Sequence, residues 1–327
     1  MEKKIVYHYC SIDVFHKIIT NHKIRLSEIT KSNDSMELKW ATQYIFDIFM
    51  EKYRSEAAST NYFFVNYPED VYKELLEQYL DETFDDDRRY YSFYVCCFSE
   101  ESDCLSQWRG YADDAKGVAI GFDANELKEM TNRLGSRYDM LFDAVVYSEY
   151  EQRNAIKKQA QLLIDSLKRL AKEVSEEKID KSEVKEKSKI RFRMVFEFIF
   201  KKCVFLKNPF FKEEKEYRLC RHEARYVVDE SIRESFTKIA EKETKKLGDT
   251  SGEEKNSDEE NVLEKIEYYC RNSTLVPFFD MLFDKENAIK EVIIGPKCNA
   301  TANDVETFLY NYGFCNVSVR KSAGTYR

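Results

Sequence analysis

The stretch that organises this chain runs from Phe210 to Cys220 and reads FFKEEKEYRLC. It follows a long helical pattern and an Asn208-Pro209 break, and we predict that it forms a strand. Side chains alternate between faces along a strand, so Glu214, Glu216 and Arg218 would share one face, about 7 Å apart in succession. Two carboxylates and a guanidinium in one row are typical of a solvated charged surface or of a pocket for a polar substrate.

Length and composition limit the class of protein. The chain has 327 residues, 43% of them hydrophobic and 14% aromatic, which suffices for one large domain with insertions or for two small ones. Its net charge of -8 disfavours non-specific coating of nucleic acid or of an anionic membrane. The sequence has no run of about 20 apolar residues and no signal-peptide pattern at its start, so we expect a cytoplasmic protein without membrane segments.

The cysteines indicate a reducing compartment. There are nine, scattered along the chain, with one adjacent pair at Cys96-Cys97 and no Cys-x-x-Cys spacing. With only four histidines beside them, this pattern disfavours both a disulfide framework and a structural zinc site. We therefore expect free thiols that pack as small core residues, and no metal.

Two periodicities alternate along the chain. Strands are predicted at 5–9, 24–27, 90–98, 118–122, 141–147, 289–294 and 317–319, and helices at 12–19, 38–53, 70–79, 105–112, 124–134, 230–246 and 302–312. The stretch 90–98, YYSFYVCCF, is rich in aromatic and β-branched residues and predicts a central strand. We expect an α+β fold in which long helices cover a mixed or antiparallel sheet.

Two lysine-rich helical patterns, at 149–177 and 182–206, interrupt the strands. We interpret 149–206 as a helical insertion, with 1–148 and 207–327 as the two parts of one core and 247–261 as a flexible acidic loop. The basic helices, residues 150–205, could dock an acidic partner or RNA, although interspersed charge on long helices is usually solvated surface.

Other polar and aromatic residues each have two interpretations. Asp34 and Glu37 have capping-box spacing, or they form a polar cluster at the mouth of a pocket. Trp108 and Tyr111 either pack a short helix onto the sheet or line a pocket. His8 stands where a strand meets a loop and a helix, a common position for both structural and ligand-facing histidines.

Several short motifs together resemble a bacterial family catalogued as domain of unknown function twenty-nine seventy-one. They are Tyr7-His8-Tyr9, Asn33-Asp34-x-x-Glu37, Cys97-Phe98-Ser99, Trp108, Tyr111, Gly117, Gly121-Phe122, Glu214-x-Glu216-Tyr217-Arg218 and Ile293-x-Gly295. The resemblance extends over nearly the whole length of the chain. Each motif is weak alone, and the set is fairly specific.

The order of these motifs is also similar to the His-Tyr-Glu pattern of ADP-ribosyltransferases. This resemblance implies an ADP-ribosyltransferase-like core with NAD as substrate. His8, with Tyr9 beside it, would bind the adenosine-side ribose. Glu216 would stabilise the oxocarbenium-like transition state, and Glu214 would orient the acceptor.

The remaining candidate cofactor-binding residues follow from the same resemblance. Trp108 or Tyr111 would stack on nicotinamide, and Ser99 and Arg218 complete the set. Breaking the nicotinamide–ribose bond builds positive charge on the sugar, which a fixed carboxylate in a dry pocket stabilises. A neighbouring guanidinium would keep Glu216 ionised. The chemistry needs no metal.

The resemblance therefore predicts an ADP-ribosyltransferase-like enzyme that consumes NAD. Its acceptor would be nucleic acid or protein, and such an enzyme would suit a bacterial toxin or anti-phage effector. This hypothesis requires that His8 and Glu216, which are distant in sequence, share one cleft.

Two other classes stay open at this point. The first is a non-catalytic sensor or partner-binding module of a defence system, which would use basic residues of the long helices, namely Lys187, Lys189 and Arg191. The second is a metal-dependent nuclease-like effector, with a divalent ion held by Asp34, Glu37, Glu214 and Glu216.

Overall fold

A computed structural model describes residues 4–31, 40, 42–57, 67–84, 91–176, 178, 180, 183–224, 265–271 and 273–324. In this part of the chain ten strands form one mixed sheet, and α-helices lie on both of its faces. Three predicted features lie outside the described residues: the capping box at Asp34–Glu37, the helix at 230–246 and the acidic loop at 247–261.

The strands are β1 Ile5–Cys10, β2 Lys23–Glu28, β3 Tyr91–Ser99, β4 Val118–Asp123, β5 Met140–Ala144, β6 Glu216–Ala224, β7 Glu267–Arg271, β8 Thr274–Leu282, β9 Ile289–Ile294 and β10 Ser318–Lys321. The helices are α1 Ile12–Asn21, α2 Thr42–Ala57, α3 Glu69–Phe84, α4 Leu105–Tyr111, α5 Ala124–Tyr138, α6 Glu149–Ser175, α7 Val184–Cys203 and α8 Ala302–Asn311. Every predicted strand before residue 150 is found, and the hairpin of β7 and β8 is an addition to the predicted strands.

The central strand is β3, as its aromatic and β-branched composition predicts. One of its edges pairs with β6 over the full length of both strands. The other edge is shared, since β1 pairs with it at Ser99 and β2 at Val95 and Tyr94. From β1 the sheet continues through β4 and β9 to β10, and from β2 through β8 to β7. All strand pairs are antiparallel except that of β9 with β10.

The two faces of the sheet bury separate hydrophobic clusters, because paired residues point the same way and their neighbours point the other way. The face that carries Cys97, Ser99, Glu216 and Arg218 is called the front face. At one end it packs against α2, α3, α6 and α7, and at the other end against α4. The opposite, back face packs against α1, α5 and α8.

The helical insertion lies between two strands that pair with each other. β5 precedes α6, β6 follows α7, and the two strands are antiparallel partners from Met140–Arg221 to Ala144–Tyr217. The helices bury one side against the front face, and the core that they form contains Phe196, Phe200 and Leu163. The insertion is therefore part of the main core of the protein. None of the helices within the described ranges is both long and apolar enough to cross a bilayer.

Candidate active site

The stretch that precedes β6 is not a strand. Residues Pro209–Glu214 form a 3-10 helix, whose first turn is capped by the Asn208 side chain accepting from the Phe210 amide. The prediction of a continuous strand from Phe210 was wrong because Asn208-Pro209 starts a helix: an Asn cap followed by Pro is a common helix start. Lys215 then adopts a left-handed conformation with φ of 42° and turns the chain into β6.

A buried network of charges connects this 3-10 helix to β6. The Arg218 guanidinium donates from Nε to Glu216 Oε1 at 2.7 Å and from Nη2 to Glu216 Oε2 at 3.0 Å. Lys207 Nζ lies 2.9 Å from Glu216 Oε2 and 2.6 Å from Glu214 Oε2. Arg218 is fully buried, and Glu216 and Lys207 are 5% and 4% exposed. The charges of two carboxylates and two cations thus compensate each other at a site that is largely shielded from solvent.

The two carboxylates have different surroundings. Both Glu216 oxygens accept from cations, and the Cys97 thiol also hydrogen-bonds this carboxylate. Burial raises the pKa of Glu216, but the charge and hydrogen bonds of Arg218, followed by the charge of Lys207, outweigh it and keep the pKa well below its ordinary value. Glu214 accepts from Lys207 at Oε2, and the Tyr111 hydroxyl donates to its Oε1 over a longer distance of 3.4 Å. The Glu214 side chain is 14% exposed and that of Glu216 is 6% exposed, so Glu214 is the more accessible of the two carboxylates.

The front face is uncovered beside this network. Cys97 lies two residues before the end of the central strand, opposite Arg218 in register, and its side chain is exposed. A central strand normally has its side chains covered on both faces, so an exposed residue there marks a cleft. Tyr111, at the end of α4, is 47% exposed and stands at the rim of this cleft next to Glu214. Phe210, 83% exposed, projects from the 3-10 helix that carries Glu214.

His8 does not lie in this cleft. It pairs with Ile120 of β4, and its ring contacts Phe98 and lies 3.6 Å from Cys96 Sγ, so it points to the back face. Its Nδ1 is 3.0 Å from the Cys97 backbone oxygen, and burial lowers the pKa of its imidazole. The expected convergence of His8 with Glu216 is therefore not found. Tyr7 is the residue of β1 that shares a face with Glu216, because both align with Ser99.

Three other candidate residues are occupied by structural contacts. Trp108 is 2% exposed and donates from Nε1 to Asp103 Oδ1. The Tyr9 hydroxyl, buried, donates to the backbone oxygen of Glu101. Ser99, 1% exposed, donates from Oγ to the backbone oxygen of Glu214 and holds the 3-10 helix on the sheet. Of the two aromatic residues considered for stacking, Tyr111 is the accessible one.

Sequence reasoning missed two members of the site. Lys207 follows the apolar end of α7, where a basic residue is common and signals nothing by itself. Tyr147 lies beyond β5, and its hydroxyl accepts from the Glu216 amide at 3.1 Å. Burial is the main cause that raises the pKa of the Tyr147 and Tyr111 phenols, so both are neutral at physiological pH. Neither Lys207 nor Tyr147 belongs to a recognisable short motif.

A second polar cluster lies further along β6. Asp139, Glu197 and His222 have ligand atoms within 4.8 Å of one another, a spacing that could hold a metal ion. The scattered histidines of the sequence do not predict such a group. Lys201 forms ion pairs with two residues of this cluster, with its Nζ 2.5 Å from Asp139 Oδ2 and 3.1 Å from Glu197 Oε1. His222 Nδ1 lies 2.8 Å from Asp139 Oδ2. An ammonium thus supplies the positive charge that the carboxylates require.

The comparison with protein families supplies one match. Residues 107–219 match the family described as Protein of unknown function (DUF2971). This range is shorter than the nearly complete resemblance that the motifs predict, and it leaves out the motifs at Tyr7, Cys97 and Ile293. It includes the whole insertion and the charge network from Lys207 to Arg218. No curated protein and no solved structure matches the chain. Residues 107–219, which are less than half of the chain, are thus similar to a family whose function is unknown.

Proposed function

We propose that the protein cleaves the bond between nicotinamide and ribose in NAD, as an ADP-ribosyltransferase-like enzyme that acts in the cleft over Cys97. The observation that carries this proposal is the position of Glu214, a partly exposed carboxylate fixed beside Tyr111 by a buried ion network. A carboxylate held in place before the reaction costs no reorganisation when positive charge develops next to it. The ADP-ribosyltransferase-like pattern in the sequence supports the choice of NAD over other glycosides.

The proposed chemistry gives Glu214 and Tyr111 distinct tasks. As the C–N bond breaks, its electron pair leaves with nicotinamide, and C1 of the ribose becomes electron-poor. Glu214 stabilises this charge, then takes the proton of the hydroxyl or amine that attacks C1, or of water. Tyr111 offers an exposed ring on which nicotinamide stacks. Protein and nucleic-acid groups, the acceptors that the resemblance implies, supply such nucleophiles.

The two carboxylates differ in role from the sequence-based expectation. Glu216 was expected to meet the sugar, but Arg218 and Lys207 occupy both of its oxygens. We assign Glu216 and Arg218 to holding Lys207 and, through it, Glu214. Arg218 is fully buried, so it has no part in binding the substrate directly. His8 and Trp108 have no part in this revised site.

The other two classes have less support from the geometry. For a metal-dependent nuclease, a divalent ion would lie between Glu214 and Glu216, and Lys207 Nζ stands there at 2.6 and 2.9 Å. For a partner-binding module, the basic helix residues would need to be open to an acidic partner. Lys187, Lys189 and Arg191 instead form ion pairs with Glu183, Glu186 and Glu173.

The test is release of nicotinamide from NAD by the purified full chain, beside the variant Glu214→Gln. We expect the wild type to release nicotinamide and Glu214→Gln to lose about 10²–10³-fold in kcat, the usual cost of removing one group that stabilises transition-state charge. Quantitative chromatography of nicotinamide measures both rates.

The matched control is Glu213→Gln, which removes a neighbouring carboxylate from the same 3-10 helix. Glu213 is exposed, so this variant should keep wild-type kcat. Equal activity of Glu214→Gln and wild type would show that Glu214 is not the reacting carboxylate. A wild type that releases no nicotinamide, with or without added protein and nucleic-acid acceptors, would remove the proposal altogether.

A further inference from the structure

Lys207 is a buried lysine in the short segment between α7 and the 3-10 helix. Its ammonium bridges Glu214 Oε2 and Glu216 Oε2 and lies 5.2 Å from the centre of the Phe211 ring. At 4% exposure it has lost most of its hydration, which an ammonium tolerates only with paired charges around it. This ammonium is the direct link between the accessible carboxylate and the buried one.

The backbone of Lys207 is fixed from both sides. Its amide donates to the Val146 oxygen at 3.2 Å, and its oxygen accepts from Gln152 Nε2 at 2.8 Å. Gln152 is fully buried on α6 and also donates to the Val146 oxygen at 2.7 Å. Trp40 Nε1 donates to Gln152 Oε1 at 3.0 Å, which fixes the amide in turn. The insertion helix α6 thus determines where the Lys207 ammonium stands.

The groups that surround this ammonium come from five segments: the 3-10 helix, β6, β3, α4 and the stretch after β5. Carboxylates are supplied by Glu214 and Glu216, a guanidinium by Arg218, a thiol by Cys97, and phenols by Tyr111 and Tyr147. With both phenols neutral, the network holds two negative and two positive charges. Without the lysine, two carboxylates would share the single charge of the guanidinium. Like charges at this distance in a low dielectric favour uptake of a proton by one of them.

We propose that Lys207 is the positioning residue of the site: its ammonium keeps Glu214 ionised and fixed at the cleft beside Glu216. Its meaning for catalysis rests on the function proposed above. The effect of its charge on the two carboxylates is a property of the resting protein and can be tested without NAD.

The exposed Cys97 thiol provides the readout, because it hydrogen-bonds Glu216 and reacts as the thiolate. The rate of its alkylation by iodoacetamide is followed against pH by peptide mass spectrometry, which separates Cys97 from the other exposed cysteines. Lys207→Met removes one positive charge from the network, so we expect the pH midpoint of Cys97 alkylation to rise by about one unit or more. Lys207→Arg keeps the charge and should keep the midpoint within a few tenths of a unit.

The decisive variant is the double substitution Lys207→Met with Glu214→Gln. It removes one charge of each sign, so the pH midpoint of Cys97 alkylation should return close to that of the wild type. Any loss of folding stability caused by Lys207→Met should also be reversed. The matched control is Lys212→Met, which removes an exposed charge from the 3-10 helix and should leave the midpoint unchanged. An unchanged midpoint in Lys207→Met, or a double variant that recovers neither the midpoint nor the fold, would overturn the proposal.

The activity of the same variants separates this inference from the proposed function. If the wild type releases nicotinamide, Lys207→Met should lower kcat at least tenfold at pH 7 and shift its pH profile upward, while Lys207→Arg should restore most of kcat. If the wild type releases none, the proposed function fails, and the Cys97 midpoints still decide whether Lys207 governs the two carboxylates.

Discussion

Glu216 and Arg218 form a buried ion pair, and removing either partner is strongly destabilising. Neighbouring positions on one strand face bring the guanidinium against the carboxylate, and the remaining donor of Arg218, Nη1, bonds the Val204 oxygen at the end of α7. A buried ion pair adds little net stability, whereas removing one partner leaves a charge without compensation. The pair therefore specifies the arrangement of the site more than it stabilises the fold.

The ionisation of Glu216 should make the stability of the protein depend on pH. Glu216→Gln should lower the free energy of unfolding at pH 7 by about 3–5 kcal/mol, because it leaves Arg218 and Lys207 buried with one carboxylate. The native pKa of Glu216 lies below the ordinary value of 4.5, so its contribution is complete above that pH and is lost as the pH falls toward the native value. The difference between variant and wild type should thus narrow below about pH 4.5.

Urea unfolding of both proteins between pH 7 and pH 3 measures this difference. Glu213→Gln, at an exposed position, should follow the wild-type curve throughout. A difference that stays constant across the range would mean that the ionised form of Glu216 is not the form that the native state favours.

At the scale of elements, α7 shows how much of the insertion is core. Phe196 is 1% exposed and packs its ring against Phe49 and Tyr79, which belong to α2 and α3. Phe198, two positions later, is 57% exposed. Helical periodicity separates the two positions by about 200°, so they lie on opposite sides of the helix.

The two phenylalanines form a matched pair for mutation. Phe196→Ala should destabilise the protein by about 3–5 kcal/mol, because it opens a cavity in the core shared by the insertion and the front face. Phe198→Ala should change stability by less than about 0.5 kcal/mol. Thermal and urea unfolding measure both. Equal effects would mean that the side of α7 that carries Phe196 is not the side buried in the core.

The long helices could be predicted from the sequence, whereas the hairpin of β7 and β8 and the 3-10 helix could not. The two long helices were predicted to within a few residues because many turns repeat the same apolar side. The hairpin of β7 and β8 was missed because β7 has no fully buried residue and β8 contains Pro277, a residue type that argues against a strand. The 3-10 helix was missed because its Asn-Pro start was interpreted only as a break before a strand.

At the scale of the whole molecule, Gly117 joins segments from three parts of the sequence. A Cβ at this position would stand 2.0 Å from the backbone oxygen of Cys10, at the end of β1. The Gly117 oxygen accepts from the amide of Gly295, at the end of β9. Backbone lies on both sides, so no flexible side chain can move away to make room.

Gly117→Ala should therefore destabilise the protein by about 1–3 kcal/mol or more, since β1 and β4 must separate to admit the methyl group. The control is Gly110→Ala in α4, where a Cβ meets nothing within 4 Å and alanine is the better helix former by about 1 kcal/mol. That variant should be as stable as the wild type or more so. Melting temperatures of the two variants should move in opposite directions, and a Gly117→Ala that melts with the wild type would contradict the close packing of β1 on β4.

Features that depend on near neighbours could be predicted from the sequence: the α+β class, the central strand at 90–98, the two long helices, and Glu216 with Arg218 on one strand face. Periodicity and adjacent residue types decide these features within a few turns or pleats. The sequence by itself did not determine which side of the sheet a distant residue occupies. Only strand register decides that, and a shift of one residue reverses it.

Tertiary structure decided the composition of the site for this reason. Tyr7 aligns with Ser99 and Ser99 with Glu216, so His8, one position further, points away from the carboxylates. Lys207 reaches them from the end of a helix whose position is fixed by packing between distant segments. Such contacts depend on how segments that are distant in sequence pack together, so they cannot be predicted from local sequence patterns.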